Sequence, residues 1–154
     1  MENAAALVFY RLLSTSFARL LGRPLLAGSC ALSRDEMFQA SWLYHNAPFC
    51  VLAHNTQADP VFIYANRAAQ QCFGYEWAEI TRLPSRLSAE APNRAERQRL
   101  LNAVTNTGFI ENYRGLRIAK SGRRFWIENA IVWQLVDEAG KLHGQAAMFQ
   151  NPPA

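Results

Sequence analysis

Between Asp59 and Tyr75 the chain reads Asp-Pro-Val-Phe-Ile-Tyr-Ala-Asn-Arg-Ala-Ala-Gln-Gln-Cys-Phe-Gly-Tyr. Val61, Phe62, Ile63 and Tyr64 carry the branched and aromatic side chains that suit a pleated sheet. Helix-favouring residues begin immediately after Asn66, and asparagine is a preferred N-cap because its side-chain oxygen accepts from free amides of the first turn. A strand must therefore hand over to a helix across a single residue, and Gly74-Tyr75 then turns the chain.

The flanking pattern extends this reading. Phe49 to His54 reads as a strand, Asn55 to Asp59 as a turn, and Val61 to Ala65 as the hairpin partner. Helical segments follow at about Arg67 to Cys72, Glu76 to Thr81 and Arg94 to Asn106, with Pro84, Pro92 and Gly108 as separators. The last third reads as strands near Phe109–Ala119, Arg123–Leu135 and Lys141–Phe149. Their joints, Lys120-Ser121-Gly122 and Asp137-Glu138-Ala139-Gly140, each carry the glycine that tight hairpins use. The expected fold is α+β: a five-stranded antiparallel sheet with helices on one face.

Upstream, Phe9, Tyr10, Leu13, Phe17, Leu20 and Leu21 recur at helical spacing, so an amphipathic helix is expected over Ala4–Leu21, stopped by Gly22 and Pro24. A second helix is expected from Ser33, with Glu36 completing a capping box. It should turn Met37, Phe38, Trp42 and Leu43 inward. Pro24 to Leu32 reads as an apolar connector packed on the body. Residues 1–45 are then a helical extension covering the sheet's other face, and residues 46–151 form the main domain.

At 154 residues the chain suits one domain with a real core. Its net charge of +4 comes almost wholly from arginine, with Lys120 and Lys141 the only lysines. The arginines are scattered, which reads as solvated surface; a nucleic-acid partner would call for a concentrated stripe. Cys30, Cys50 and Cys72 form neither a disulfide framework nor a zinc pattern and read as free thiols of a reducing cytoplasm. No run approaches the ~20 apolar residues of a membrane span. Leu26-Ala27-Gly28-Ser29-Cys30 has a lipoprotein-like look, but Arg11, Arg19 and Arg23 interrupt the run before it. A soluble, cytoplasmic protein is expected, without a membrane or a metal.

The residues do not build a catalyst. Cys50 and His54 lie four positions apart on one strand, roughly 13 Å, too far for a hydrogen bond. Phosphate loops, nucleophile elbows and metalloprotease histidine pairs do not occur. A ligand pocket is better supported. Strict alternation would put Phe125, Ile127, Asn129, Ile131, Trp133 and Leu135 on one face, with Asn129 either meeting a ligand or bonded to backbone or water. Gly144, Ala146 and Met148 would leave room beside Trp133 for a ligand or for close helix packing.

Four segments together resemble the MEKHLA domain, a PAS-related family found alone in bacteria and at the C-terminus of plant class III homeodomain–leucine-zipper transcription factors. They are Ser16–Leu26, Trp42–His54, Asp59–Ala69 and Gly122–Trp133. The resemblance spans about residues 10 to 149 and implies a PAS-like sensory or regulatory module of the standalone bacterial type. Signal-dependent small-molecule binding or homodimerisation through the N-terminal helix would be its role. In photosensory relatives a cysteine forms a flavin adduct; Ser85 stands in its place here. Arg86 matches the residue that reaches the flavin phosphate, whereas Arg117 and Ile127 stand where asparagines would hold the ring. By the same likeness an inward Arg117 would favour an anionic ligand. Haem-binding relatives carry a histidine on the long middle helix, and this chain has none between Arg94 and Asn106. The cofactor, if any, is left open. Candidate pocket residues are His54, Tyr64, Arg86, Arg117, Ile127, Asn129, Trp133 and Met148, with Asn66 a structural cap. A cofactor-binding redox sensor or carrier, and then a small enzyme using His54, are the alternatives.

Overall fold

A computed structural model describes residues 3–26 and 35–152. Helices α1 (Asn3–Leu21) and α2 (Glu36–His45) precede strands β1 (Phe49–His54) and β2 (Phe62–Ala65). Helices α3 (Arg67–Phe73), α4 (Trp77–Ile80) and α5 (Ala91–Thr107) follow, with a 3-10 turn at Ser85–Ser88. Strands β3 (Phe109–Ile118), β4 (Arg124–Val136) and β5 (Leu142–Gln150) complete the chain. All five strands pair antiparallel in the order β2-β1-β5-β4-β3. The three C-terminal strands are successive neighbours, as their hairpin joints require.

Asn66 does more than cap a helix. It is fully buried. Its Oδ1 accepts from Ala69 N at 3.1 Å and from Val51 N at 3.0 Å. Its Nδ2 donates to Phe49 O at 2.9 Å and Leu43 O at 3.1 Å. One amide thus ties α2, β1 and α3 together, using all of its hydrogen-bonding capacity on the backbone.

α1 and α2 lie on one face of the sheet. Tyr10, Leu13 and Phe17 bury their stripe against Val51, Ala53, Tyr64, Trp133 and Leu135. Full burial of each such side chain contributes about 1.5–3 kcal/mol. Ser16 Oγ donates to Val136 O at 3.0 Å and accepts from Val136 N at 2.9 Å, and Arg19 Nη2 donates to the same carbonyl. α3 and α5 cover the opposite, concave face.

Several boundaries and orientations depart from the sequence expectations. α2 starts at Glu36 and is capped by Asp35, whose carboxylate accepts from Met37 N; Ser33 lies outside the described residues, as does most of the Pro24–Leu32 connector. Met37 and Phe38 face outward, while Ala40 and Leu43 are buried. Pro92 does not separate elements but sits in the first turn of α5, where its missing N–H has no helical partner to lose.

The largest departure is in β4. Gly115 faces Ile127, Tyr113 faces Ala130, and Ile110 faces Val132. An extra residue therefore enters β4 near Asn129, and a compensating one enters β3 near Asn112. Both asparagines have positive φ, 51° and 57°, a conformation asparagine tolerates better than most residues. The extra residue flips the side-chain parity of β4. Phe125 and Ile127 point into the concave face, while Ile131, Trp133 and Leu135 point to the α1 side. The single row expected from alternation does not exist.

Candidate ligand cavity

The concave face and α5 enclose a cavity of about 60 Å³. Its apolar wall includes Leu52, Phe62, Phe73, Ile127 and Phe149. Its polar wall is His54, Ser88, Arg97, Tyr113, Arg117 and Gln145.

Each polar residue is delivered by a specific local feature. His54 ends β1, where a bulge against β2 occurs. Its Nδ1 lies 2.9 Å from Asn55 O, so the proton sits on Nδ1 and Nε2 presents a lone pair. Burial, above all else, lowers the His54 pKa, and the Arg97 charge adds to that. Nε2 is buried without a partner. Gln145, opposite His54 on β5, donates through Nε2 to Leu101 O and Thr105 Oγ1, leaving Oε1 buried and unpaired.

Arg97 follows from the α5 stripe Arg97, Leu100, Val104, spaced at three and four residues. Its Nη2 donates to Ser85 Oγ at 2.8 Å. Burial and then the neighbouring Arg117 lower its pKa to about 10. Arg117 Nη1 donates to Leu116 O, and Nη2 donates to Tyr113 Oη at 3.0 Å. The phenol in turn donates to Glu96 Oε2. Gly115 makes this possible: a Cβ there would lie 2.2 Å from Tyr113 Oη and 2.8 Å from Arg117 Nη1.

Of the sequence candidates, His54, Arg117 and Ile127 line the cavity, and Arg117 does point inward. Tyr64 does not; it stacks on Phe9 at 4.9 Å on the α1 side. Trp133 is also there, edge-on to Phe17. Met148 pairs with Val51 and Ile131 on that same face, so the small residues of β5 accommodate packing against Trp133 rather than a ligand. Asn129 is exposed at its bulge. Arg86 is exposed and pairs with Asp59 at 3.1 Å. Arg97, Gln145, Ser88 and Tyr113 were not among the candidates, and Arg97, one of the arginines read as solvated surface, is buried. Only the α5 stripe could have flagged Arg97.

Cys50 and Cys72 are buried free thiols in the concave-side core; Cys30 lies outside the described residues. The hydrogen bond from Cys50, and secondarily Arg123, hold the Cys72 thiol below its usual pKa, while Cys50 is pushed up. Among the described residues no group of histidine, cysteine and carboxylate side chains could hold a metal ion, and no helix is long and apolar enough to cross a membrane.

The family model of the MEKHLA domain matches residues 7–152. The chain belongs to that family. A curated relative is the homeobox-leucine zipper protein ATHB-14 of Arabidopsis thaliana, 23% identical over 146 residues. The match covers 95% of this chain but 17% of that protein. Among solved structures, a PAS domain from Colwellia psychrerythraea superposes with a TM-score of 0.65 at 15% identity, covering 76% of this chain and 97% of that one. An RNA-binding light-oxygen-voltage receptor gives 0.64 at 21%, covering 84% and 36%. The light-oxygen-voltage domain of the Erythrobacter litoralis EL346 blue-light activated histidine kinase gives 0.55 at 25%, covering 67% and 94%. The MEKHLA chain thus has a PAS-like sensory-domain fold.

Another similar structure is described by a flavin analogue in a light-oxygen-voltage domain, and the residues here do not fit that group. The cavity is about 60 Å³, whereas pockets for ligands of drug size run to roughly 300 Å³ or more. Ser85, at the position expected for an adduct-forming thiol, is fully buried and holds Arg97.

Proposed function

We propose that this MEKHLA domain is a non-catalytic sensor whose signal is a small molecule held between the concave sheet face and α5. The observation that carries this reading is the pair of partnerless buried acceptors, His54 Nε2 and Gln145 Oε1, on the wall of one cavity. Native proteins rarely leave buried polar atoms unsatisfied, and such atoms mark an absent partner or a functional site. The chemistry around them is suited to holding rather than transforming. Ser88 Oγ donates to Ser85 O, and the His54 ring is anchored to Asn55 O.

The output would run through β4. Val132 faces the cavity side while its neighbour Trp133 packs on Phe17 of α1. Ser16 and Arg19 bind the end of the same strand at Val136. A ligand that prefers one arrangement of β4 would bias how α1 sits, a shift between existing populations. Val8 and Phe38, 68% and 52% exposed on the outer side of the helices, offer a homodimer surface that does not compete with the sheet. This role is proposed for a cytoplasmic domain, independently of the longer plant relative.

Mass spectrometry and an absorption spectrum of freshly purified protein, followed by a thermal screen of small metabolites, test the reading. A saturable rise in melting temperature, lost in His54→Leu, is expected. A melting temperature indifferent to every small compound would refute it. Sedimentation of Val8→Asp/Phe38→Asp tests the homodimer: a fall from dimer to monomer is expected, and an unchanged mass contradicts it.

A further inference from the structure

The polar wall of the cavity specifies a class of ligand, an inference that rests on the sensor reading. We infer that the hollow takes a small oxyanion that also carries a hydroxyl, such as a two- or three-carbon hydroxy acid, seated between Arg97, Arg117, His54 and Gln145. Three properties of the site lead there.

The first is charge. Arg97 and Arg117 are 8% and 6% exposed, and among the described residues neither joins an ion pair. Their hydrogen-bond acceptors are neutral: Ser85 Oγ, Leu116 O and Tyr113 Oη. Glu96 reaches Arg117 only through the phenol of Tyr113. Two adjacent buried cations with neutral acceptors are short of negative charge, and guanidinium groups bind carboxylate and other planar oxyanions with directed hydrogen bonds.

The second is polarity of the remaining groups. With its proton on Nδ1, His54 offers a lone pair at Nε2, and Gln145 offers Oε1. Both are acceptors. An oxyanion alone would answer the arginines and leave both atoms bare; a hydroxyl on the same molecule supplies one O–H donor, which pairs with one of them.

The third is size. The volume of about 60 Å³ is far below the roughly 300 Å³ or more of pockets for drug-sized ligands, which favours a molecule of a few heavy atoms. The apolar wall of Leu52, Phe62, Phe73, Ile127 and Phe149 suits a methyl or methylene group. Bicarbonate shares the oxyanion-plus-hydroxyl chemistry but brings no carbon skeleton to that wall.

Titration of the full chain, followed by amide NMR at constant ionic strength, separates these requirements. Glycolate or lactate should shift the Arg97, Arg117, His54 and Gln145 amides saturably. Acetate, which lacks the donor, should bind about tenfold more weakly, and ethylene glycol, which lacks the charge, should not saturate. Tighter binding of bicarbonate than of glycolate would assign the inorganic member of the class and keep the inference. Arg97→Gln should weaken glycolate about tenfold or more while Arg97→Lys retains part of the affinity; the dispersion of each spectrum verifies folding. If Arg97→Gln does not fold, the Arg97→Lys variant and the ligand series decide alone. Equal binding of ethylene glycol and glycolate, or no saturation by any of these anions, overturns the inference. In the first case, or if the wider thermal screen finds a neutral ligand, the sensor reading survives its failure.

Discussion

At Asn66, one side chain answers four backbone groups from three elements, so its removal is felt in all of them at once. Asn66→Ala would leave Val51 N, Ala69 N, Leu43 O and Phe49 O short of partners. A loss of about 3 kcal/mol is expected in urea unfolding. Asn66→Asp should be similarly harmful, because it removes both donors and buries a charge. His54 gives a pH signature. Burial lowers its folded pKa below the ordinary value of 6.5, so the unfolded chain takes up the proton first as pH falls. The stability contribution is present above 6.5 and declines as pH drops through the folded value. Unfolding at pH 7 and at pH 5 should show a steeper acid loss for the wild type than for His54→Gln. Asn66 was legible in the sequence because capping is a local signal between neighbours. Arg97 was not, because its meaning depends on which face of α5 meets the sheet.

At the scale of elements, the hairpin pairings β1–β2, β3–β4 and β4–β5 and the approximate helix positions could be read from turn residues and hydrophobic period, and β1 begins and ends as expected; the pairing of β1 with β5 was not read. The face of β4 could not be read either. Period-2 alternation holds only while the strand stays regular, and the bulge at Asn129 inverts it for every residue beyond. That inversion separates Ile127 in the cavity from Trp133 under α1. The outward turn of Met37 and Phe38 has a related cause: α2 is short, and its buried positions, Ala40 and Leu43, are set by where Asn66 grips Leu43 O. β5 carries a sharper constraint. Gly144 has φ of 151°, and a Cβ there would lie 1.8 Å from His54 O. Gly144→Ala should therefore force β1 and β5 apart next to His54, lowering stability by about 3 kcal/mol or more. Thermal unfolding checks this; an unchanged melting temperature would show that the two strands do not approach so closely.

For the molecule as a whole, the sheet is a partition with different contents on its two sides. One side is sealed by α1 and α2 around Phe17, Trp133 and Leu135; the other holds the small polar hollow under α5. The PAS-like architecture was readable from the order of elements. The composition of the hollow was not, because its walls come from β1, α5, β3 and β5, which are far apart in sequence. In the proposed sensor, occupancy of the hollow is transmitted through β4 to α1. Its most direct test is amide NMR during titration with a compound that raises the melting temperature. Amides of Arg97 and Gln145 and those of Leu13 and Phe17 should shift with the same midpoint. Shifts confined to the hollow, with α1 unmoved at saturation, would contradict it.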